Sequence, residues 1–368
     1  MKPYTPAELP LQRLDYKRLF RSVGEANAEL ARYDGLLQGI VNPSVMLSPL
    51  TNEEAVLSSR IEGTQASVDE VLEHEAGILK KGENADDIQE IVNYRHALRL
   101  AHSCLIEQPI TLSFVRGLHE ILLNSVRGQD KTPGQFRNNQ NWIGLPGCTI
   151  DKASFVPPTP FTMNDYLIKW QEYLDFNDID VLLQTAVAHA QFELLHPFHD
   201  GNGRIGRILI PLFLFQKKKL SQPMFYLSSY LESNREEYYL GLRNISQKGD
   251  WDGWIQFFLN AVTIQAKNNS FKVKSILELY EKMKRRIQEI THSQYTIHLL
   301  DALFDRPIFE TTEFIRRSKI NKKTAMSLLK SLKENSILAT LRESSGSRAA
   351  VLCFPELLKI TEGKEFSL

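Results

Sequence analysis

The chain has 368 residues, of which 42% are hydrophobic and 24% are charged, in the ordinary range of soluble globular proteins. Its 44 basic and 44 acidic residues cancel, so no global charge draws it to nucleic acid or to an anionic membrane. The three cysteines, Cys104, Cys148 and Cys353, form no CxxC pair, which argues against a structural zinc and a disulfide framework. The length predicts two or three domains.

The N-terminus lacks the apolar core of a secretory signal, and the longest apolar run, residues 208–215, is too short to span a bilayer. We therefore expect a cytoplasmic protein with no membrane contact. Apolar residues recur at helical spacing through most of the chain, which predicts a mainly α fold. A helical N-terminal region is expected over residues 1–100 and a helical catalytic core over residues 101–268.

One segment of the core interrupts the helical pattern. Residues 134–160 are rich in glycine and proline and contain two short β-like pieces, at residues 141–143 and 155–156. Such a segment predicts a hairpin or an extended flap.

The C-terminal part changes character again. A charged amphipathic helix over residues 271–290 is predicted to be a linker, with the linker region placed at residues 269–291. Residues 311–332 then predict helix, turn, helix, and residues 336–354 predict two apolar strands around a polar turn at residues 343–347. That order is typical of a winged helix, which we expect over residues 292–368.

The predicted second helix of this module is basic. No acidic residue lies between Phe314 and Lys333, so the helix is a candidate reader of the DNA major groove. Lysine and arginine are also common on solvated helix faces, and winged helices also bind protein, so both partners stay open. The basic residues concerned are Arg316, Arg317, Lys319, Lys322, Lys323, Lys330 and Lys333.

The chemistry is concentrated after residues 181–195, which have the length and apolar content of a buried helix. His196-Pro197 ends that helix, because proline disfavours helix in the residue before it. A glycine-containing loop follows, and an apolar helix is predicted to resume at Arg204. Glycines before a helix start expose N–H groups at the positive end of the helix dipole, which is what an anion site needs.

Polar residues around this helix start have complementary chemistry. Arg204 and Arg207 lie three apart, so both can point toward one anion. Asp200 can hold a magnesium ion that bridges phosphate oxygens. His196, whose ordinary pKa is about 6.5, can accept a proton from an attacking hydroxyl.

Other interpretations of the same residues exist. His196, His199 and Asp200 could form a metal site, although no third distant ligand is apparent. The glycines could make an ordinary turn. A P-loop is excluded at this position, because GxxxxGK[ST] is absent. We interpret His189 as a packing residue.

The segment HPFHDGNGRIGR, residues 196–207, resembles the signature HxFx[D/E]GNGRxxR of the Fic family at every defined position. The resemblance implies an all-α core with a β-hairpin flap and transfer of AMP from Mg-ATP to protein hydroxyls. It makes His196 the general base, Phe198 a core anchor and Asp200 the magnesium ligand. Arg204 would orient phosphate and Asp200, and Arg207 would hold the γ-phosphate.

The resemblance also defines the nucleotide-binding positions, with an anion hole for the α- and β-phosphates at the glycines and asparagine of the motif. Related proteins transfer UMP, phosphocholine or phosphate, or remove AMP, so these reactions remain alternatives, as does a DNA-binding regulator with a self-modifying Fic switch. The implied positions are Glu62, His196, Gly201, Asn202, Gly203, Arg204, Ile205, Gly206, Arg207 and Tyr239.

A shorter motif lies upstream. SSRIEG, residues 58–63, is similar to the family's inhibitory motif [S/T]xxxE[G/N], with Ser58, Glu62 and Gly63 at the defined positions. The resemblance implies that Glu62 pairs with Arg207, so that ATP finds the γ-phosphate clamp occupied. The alternative is a helix-capping serine and a surface glutamate.

Three further expectations follow from the resemblance. Residues 134–160 resemble the family flap, whose edge pairs with a segment of the target protein, and Ile143 and Phe155 could clamp the target side chain. A structural hairpin is the alternative. Tyr239, with Tyr238 as a second candidate, would contact the adenine, although tyrosines on such a helix also serve packing. Similar proteins often form homodimers.

Overall fold

The computed structural model describes residues 2–78, 85–124, 131–145, 147–346 and 348–362. Within these residues the chain is mainly helical, as the sequence predicts, and it contains three short strands. The elements are α1 Tyr16–Gln38, α2 Pro43–Met46, α3 Ser48–Ile61, α4 Val68–Glu75, α5 Ala85–Leu105, α6 Leu112–Leu122, α7 Pro160–Asp175, α8 Val181–Leu195, α9 Asn202–Gln216, α10 Ser228–Ser233, α11 Arg235–Lys248, α12 Trp251–Thr291, α13 Thr296–Asp305, β1 Ile308–Glu310, α14 Thr311–Ser318, α15 Lys322–Glu334, β2 Ala339–Arg342, β3 Val351–Cys353 and α16 Pro355–Glu362.

Parts of each predicted region lie outside the described residues. They are Met1 and residues 79–84 of the N-terminal region, residues 125–130 of the core, Pro146 of the flap, Ser347 of the C-terminal turn, and residues 363–368 at the end of the predicted winged helix.

The chain forms two compact units. The first comprises Met1–Gly35, Leu57–Thr64 and Gln89–Lys267, and the second comprises Leu36–Val56, Gln65–Ile88 and Asn268–Leu368. Each contains buried apolar side chains from several helices.

Helix α8 is the centre of the first unit, where it packs against α7, α9 and α11. It is apolar all round, and 13 of its 15 residues are buried, as expected of a helix surrounded by others. Asp180 caps its start by accepting hydrogen bonds from the backbone N–H groups of Leu182 and Leu183. The indoles of Trp170 and Trp254 donate to α8 carbonyls at 2.8 Å each, which fixes the neighbouring helices around it.

The two helices of the motif lie close to their predicted bounds, with one difference. Helix α8 covers the predicted residues 181–195, whereas α9 begins at Asn202, two residues before the predicted start at Arg204. Gly201, with φ of 77°, precedes it in the left-handed conformation, which glycine adopts without steric cost. Asn202 and Gly203 therefore belong to the first turn of α9, where the backbone N–H groups have no partner within the helix.

The predicted flap contains little regular structure. Its described residues form one antiparallel bridge, in which the Ile143 N–H donates to the Phe155 carbonyl at 2.9 Å. A single turn of 3-10 helix over Ile150–Lys152 lies between the two bridging residues. The segment is therefore extended, with one bridge in place of a two-stranded hairpin.

The second unit contains the C-terminal elements. Strands β1, β3 and β2 form an antiparallel sheet in that order, with Ile308 and Ala339 both opposite Cys353. Helices α14 and α15 are separated by a short turn, in which Lys319 is left-handed and Asn321 caps α15. The two helices and strands β2 and β3 lie where the sequence predicts them.

The predicted linker is not a separate helix. Residues 271–290 are the second half of α12, which runs without interruption through 41 residues. No proline or glycine lies between Gly253 and the end of this helix to stop it. Within the described ranges, no helix is both long enough and apolar enough to cross a membrane.

Candidate active site

The loop that joins α8 to α9 is held in shape by its own residues. The Asn202 side chain closes it, accepting from the Phe198 N–H at 2.8 Å and donating to the Phe198 carbonyl at 2.9 Å. The fully buried Phe198 ring stacks on the His119 imidazole, with centroids 3.7 Å apart. Positive φ values at His196 and Gly201 turn the chain at the two ends of the loop. Within the described residues, the start of α9 has no side-chain cap.

His119, from α6, ties this loop to the start of the flap segment. The Gly134 N–H donates to its Nδ1 at 2.9 Å, so Nε2 carries the proton and donates to the Asp200 carbonyl at 3.0 Å. Burial lowers the pKa of His119 to about 4, which keeps the ring neutral near pH 7.

Arg137 performs a similar task on the other side of the loop. Its side chain is buried and donates to four backbone carbonyls: His196 at 2.9 Å, Asn139 at 3.2 Å, Pro158 at 2.5 Å and Leu195 at 3.4 Å. Burial lowers its pKa to about 10, so it stays charged near neutrality. The residue holds both ends of the flap segment against the end of α8.

His196 lies at the wall of a cavity, three residues after Glu193, whose backbone carbonyl acts to raise the pKa of the ring. Burial, followed by the charge of Arg137, lowers the pKa of His196 to about 4. The neutral ring near pH 7 is the form that can act as a base.

The structure brings Asp200 and Arg204 together, with Nη2 of Arg204 at 3.2 Å from Oδ1 of Asp200. The same Asp200 oxygen accepts the Gly201 N–H at 2.6 Å. Arg204 also pairs with Glu90 of α5 at 2.7 Å, and only 3% of the Arg204 side chain is exposed. Glu90 therefore neutralises an otherwise costly buried charge.

Arg207 is buried and contacts both polar residues of the upstream motif. Its Nη2 lies 2.6 Å from Oε1 of Glu62 and donates to the Ser58 carbonyl at 2.9 Å. Its Nε donates to Oγ of Ser58 at 2.8 Å. A Cβ at Gly203 would lie 2.2 Å from Oε1 of Glu62, so this pairing needs glycine at that position.

The end of α3 explains how Glu62 reaches Arg207. Helix α3 ends at Ile61, and Gly63 adopts a φ of 105°, which lets the chain turn away directly after Glu62. A carboxylate at the negative end of a helix dipole is unfavourable alone. The charge of Arg207 offsets this effect. Burial opposes the positive charge of Arg207, but Glu62, together with Tyr238, Glu193 and Tyr94, outweighs burial and raises the arginine pKa above its ordinary value.

A cavity of about 590 Å³ lies beside Glu62, His196 and Arg207. It is lined by Glu62, His196, Gly203, Arg207 and Tyr239 among the predicted site residues, and by the flap residues Ile143 and Phe155. The Ile205 side chain is fully buried, and Gly206 packs against His189 and Glu193 of α8. The predicted nucleotide and metal positions that do not line the cavity are Asp200, Gly201, Asn202, Arg204, Ile205 and Gly206.

The two tyrosines of α11 differ in exposure. Tyr238 is 1% exposed, and its hydroxyl lies 3.0 Å from Nε2 of His189, a packing arrangement. Tyr239 is 38% exposed, lines the cavity, and has the Arg235 guanidinium 5.7 Å from its ring centre. Burial lowers the pKa of His189 to about 3, which fits the packing role expected for it.

Four residues of this site were not foreseen from the sequence. Glu90, His119 and Arg137 belong to no motif and lie far along the chain from residues 196–207. Glu193 carries the one available signal, because it is the only charged residue in the apolar run of residues 181–195.

The fold and the site together define a helical protein with a cavity that reaches the first turn of α9 at Gly203 and is lined by His196 and Arg207. The chain belongs to the Fic/DOC family. Residues 109–214 match the Fic/DOC family, and residues 20–103 match the Fic/DOC family N-terminal region, together just over half of the chain.

Curated relatives support this placement. The chain is 26% identical to a probable protein adenylyltransferase of Aquifex aeolicus, over 52% of this chain and 56% of that protein. It is also 26% identical to the protein adenylyltransferase Fic of Drosophila mojavensis, over 68% of this chain and 45% of that protein. The chain thus spans about half the length of the curated relatives it matches.

Solved structures show the same fold. A Fic family protein from Desulfovibrio desulfuricans superposes with a TM-score of 0.58 at 17% identity, covering 96% of this chain and 98% of that one. Fic-1 from Caenorhabditis elegans superposes with a TM-score of 0.52 at 19% identity, covering 70% of this chain and 73% of that one.

Proposed function

We propose that this chain is a protein adenylyltransferase, which transfers AMP from ATP to a serine, threonine or tyrosine hydroxyl of a protein, including its own. The observation that carries the proposal is that the imidazole of His196, Gly203 in the first turn of α9 and the guanidinium of Arg207 line one cavity. The names of the curated relatives point to the same reaction.

In the proposed reaction the hydroxyl oxygen attacks the α-phosphorus of ATP. Its proton passes to the free ring nitrogen of His196, the new phosphorus–oxygen bond forms, and the bond to the β-phosphate oxygen breaks, so that pyrophosphate leaves. Because His196 lines the cavity, the base and the α-phosphorus can lie close together once ATP is bound. The neutral state of His196 near pH 7 suits this role.

The phosphates have a place at the start of α9. Backbone N–H groups in its first turn point out of the helix, at the positive end of its dipole. Arg207, once released from Glu62, would bind the γ-phosphate, and Arg204 would keep Asp200 in position.

Magnesium fits this site through Asp200. Its carboxylate is 47% exposed and is the anionic group beside the helix N-terminus. Proteins often bind Mg²⁺ with one or two carboxylates and complete its coordination with substrate phosphates, so the lack of a three-ligand cluster in the described residues is compatible with this role. A bound Mg²⁺ would neutralise charge on the phosphates.

The Glu62–Arg207 ion pair supports autoinhibition, in which Glu62 acts as a brake by occupying the arginine that would bind ATP. A γ-phosphate and Glu62 would compete for the same guanidinium, and a carboxylate beside the phosphates would repel them.

The flap segment is proposed to align the target protein, with Ile143 and Phe155 lining the cavity. Tyr239 is proposed to contact the adenine. Homodimer formation and a cytoplasmic location stay predictions.

The test is mass spectrometry of intact wild type and Glu62→Gly after incubation with Mg-ATP. Glu62→Gly should gain the mass of AMP on a hydroxyl, and wild type should gain much less. Adding His196→Ala to Glu62→Gly should lower labelling by roughly 10²- to 10⁴-fold, the usual contribution of a general base. Equal labelling of wild type and Glu62→Gly would remove the brake.

The same experiment separates the alternative reactions. A mass gain other than AMP would identify transfer of another group, and Glu62-dependent loss of AMP from a modified protein would favour removal of AMP. No covalent product with any tested nucleotide would contradict the proposed enzyme.

A second proposed function concerns the second unit. We propose that α13 to β3 form a winged helix and that α15 contacts duplex DNA. Lys322, Lys323 and Ser327 are exposed on one face of α15, while Ala325 and Leu328 are buried on the other. Not every basic residue of this segment is available to contact DNA, because Arg317 pairs with Asp305 and Glu313.

DNA binding would make the chain a regulator whose Fic core serves as a switch. Fluorescence anisotropy with labelled duplex DNA at several salt concentrations tests this proposal. Binding should weaken as salt rises, because phosphate contacts release counterions. Salt-independent binding, or none, would contradict it.

A further inference from the structure

Glu193 is a half-buried residue whose carboxyl group the proposed mechanism does not use. It lies on α8, three residues before His196, and lines the catalytic cavity. Its Oε1 is buried and makes no hydrogen bond within the described part of the chain. A buried, unpartnered carboxyl oxygen is costly, so its presence calls for a role.

Helix α9 provides the space that this carboxyl occupies. A Cβ at Gly206 would lie 2.2 Å from Oε1 of Glu193, closer than real atoms approach. The glycine is therefore needed for Glu193 to lie between the two helices. The next residue, Arg207, lines the same cavity as Glu193, and its positive charge acts to lower the pKa of the Glu193 carboxyl.

Two opposite charges act on Glu193. Burial raises its pKa to about 8, Arg207 lowers it, and Glu62 raises it again. When Glu62 moves away, its repulsion disappears while the attraction to Arg207 remains. Release of Glu62 therefore favours the ionised form of Glu193.

Arg207 needs such a partner in the released state. It is 2% exposed, and its hydrogen bonds go to Ser58 and Glu62, which both belong to the end of α3. Displacement of that segment would leave a buried guanidinium with reduced compensation, and burying an uncompensated ion costs several kcal/mol.

We propose that Glu193 is a positioning residue that holds Arg207 in the cavity when Glu62 leaves, so that the guanidinium is ready to bind the γ-phosphate of ATP. This inference rests on the proposed function and deepens it. Glu193 does not contact the reacting atoms. Its effect on nucleotide binding is transmitted by Arg207.

The test uses the full chain with Glu62→Gly to release the brake and His196→Ala to prevent turnover. In that background Glu193→Gln keeps the shape of the side chain and removes its charge. The affinities for ATP and ADP are measured by isothermal titration calorimetry. We expect ATP to bind about tenfold more weakly, and ADP, which lacks the γ-phosphate, to bind unchanged.

A double-mutant cycle provides the control. With Arg207→Ala in the same background, Glu193→Gln should have no further effect on ATP, because the residue through which it acts is gone. Gly206→Ala, which pushes the Glu193 carboxyl aside, should reproduce the ATP-specific loss and keeps the test available if Glu193→Gln does not fold.

The outcomes separate the inference from the function on which it rests. Equal weakening of ATP and ADP, or an unchanged effect in the Arg207→Ala background, would assign Glu193 to helix packing alone and overturn the inference. If the parent Glu62→Gly/His196→Ala protein binds neither nucleotide, the proposed function fails and the inference fails with it.

Discussion

The two units of this protein use positive charge in opposite ways. In the first unit Arg137, Arg204 and Arg207 are at most 2% exposed, and each donates to several defined oxygen atoms. In the second unit Lys322 and Lys323 are exposed on the surface of α15. A buried cation needs particular partners, so its position is fixed and its loss is costly. Exposed cations act together through their field, and each contributes little.

The largest expected effect comes from breaking a buried pair in the first unit. Arg204→Ala breaks the buried ion pair with Glu90 and should lower the free energy of unfolding by about 3–5 kcal/mol, the usual cost of removing one member of a buried pair. Urea denaturation followed by tryptophan fluorescence measures this, since all four tryptophans belong to Gln89–Lys267.

The matched substitution in the second unit is Arg316→Ala, which removes an exposed arginine from α14. It should change the unfolding free energy by less than about 0.5 kcal/mol in a far-UV circular dichroism measurement, which also reports on the helices of that unit. Similar losses for Arg204→Ala and Arg316→Ala would contradict the contrast between buried and exposed cations.

A smaller effect concerns pH and the buried His189. Its folded-state pKa of about 3 lies below the ordinary value of 6.5, so its stabilising contribution is complete above pH 6.5. As pH falls from 6.5 toward 3, the unfolded chain binds a proton that the folded chain does not, which costs about 1.4 kcal/mol for each pH unit.

His189→Gln should therefore remove this loss, so that below pH 6.5 the free energy of unfolding falls less steeply with decreasing pH, by about 1.4 kcal/mol for each pH unit. Urea denaturation at pH 7, 6 and 5, read by tryptophan fluorescence, compares the variant with wild type. Above pH 6.5 the free energies of unfolding of the variant and of wild type should change with pH in parallel, which is the internal control. Parallel behaviour below pH 6 as well would show that burial does not keep the His189 ring neutral.

The smallest effect is expected on the surface of the second unit. Replacing Lys322 and Lys323 by glutamine should lower the slope of log affinity for DNA against log salt by about 2, one unit for each lysine that no longer binds a phosphate. AMP transfer should not change. Lys17→Gln with Arg18→Gln removes two exposed charges from α1 and serves as the matched control. An equal change in both double variants would indicate a nonspecific effect of net charge.

Much of the fold and part of the site could be predicted from the sequence. The helix over residues 181–195 and the helices and strands of the C-terminal module follow from periodicity and turn residues, and they lie where predicted. The start of α9 was misplaced by two residues, because Asn202 and Gly203 look like loop residues until the glycine cap at Gly201 is seen. The predicted linker proved to be half of one long helix, since amphipathic patterning does not mark where a helix begins.

Local sequence determined the helix–loop–helix that presents His196 and the arginines, because backbone propensity, glycine φ and the Asn202 side chain act within a few residues. Tertiary structure alone decided that Arg204 pairs with Glu90, whereas the pairing of Arg207 with Glu62 was implied by the family resemblance and by no local pattern. Glu90 lies 114 positions from Arg204, and Glu62 lies 145 positions from Arg207. A buried cation must be compensated, but the packing of distant helices selects the carboxylate that compensates it.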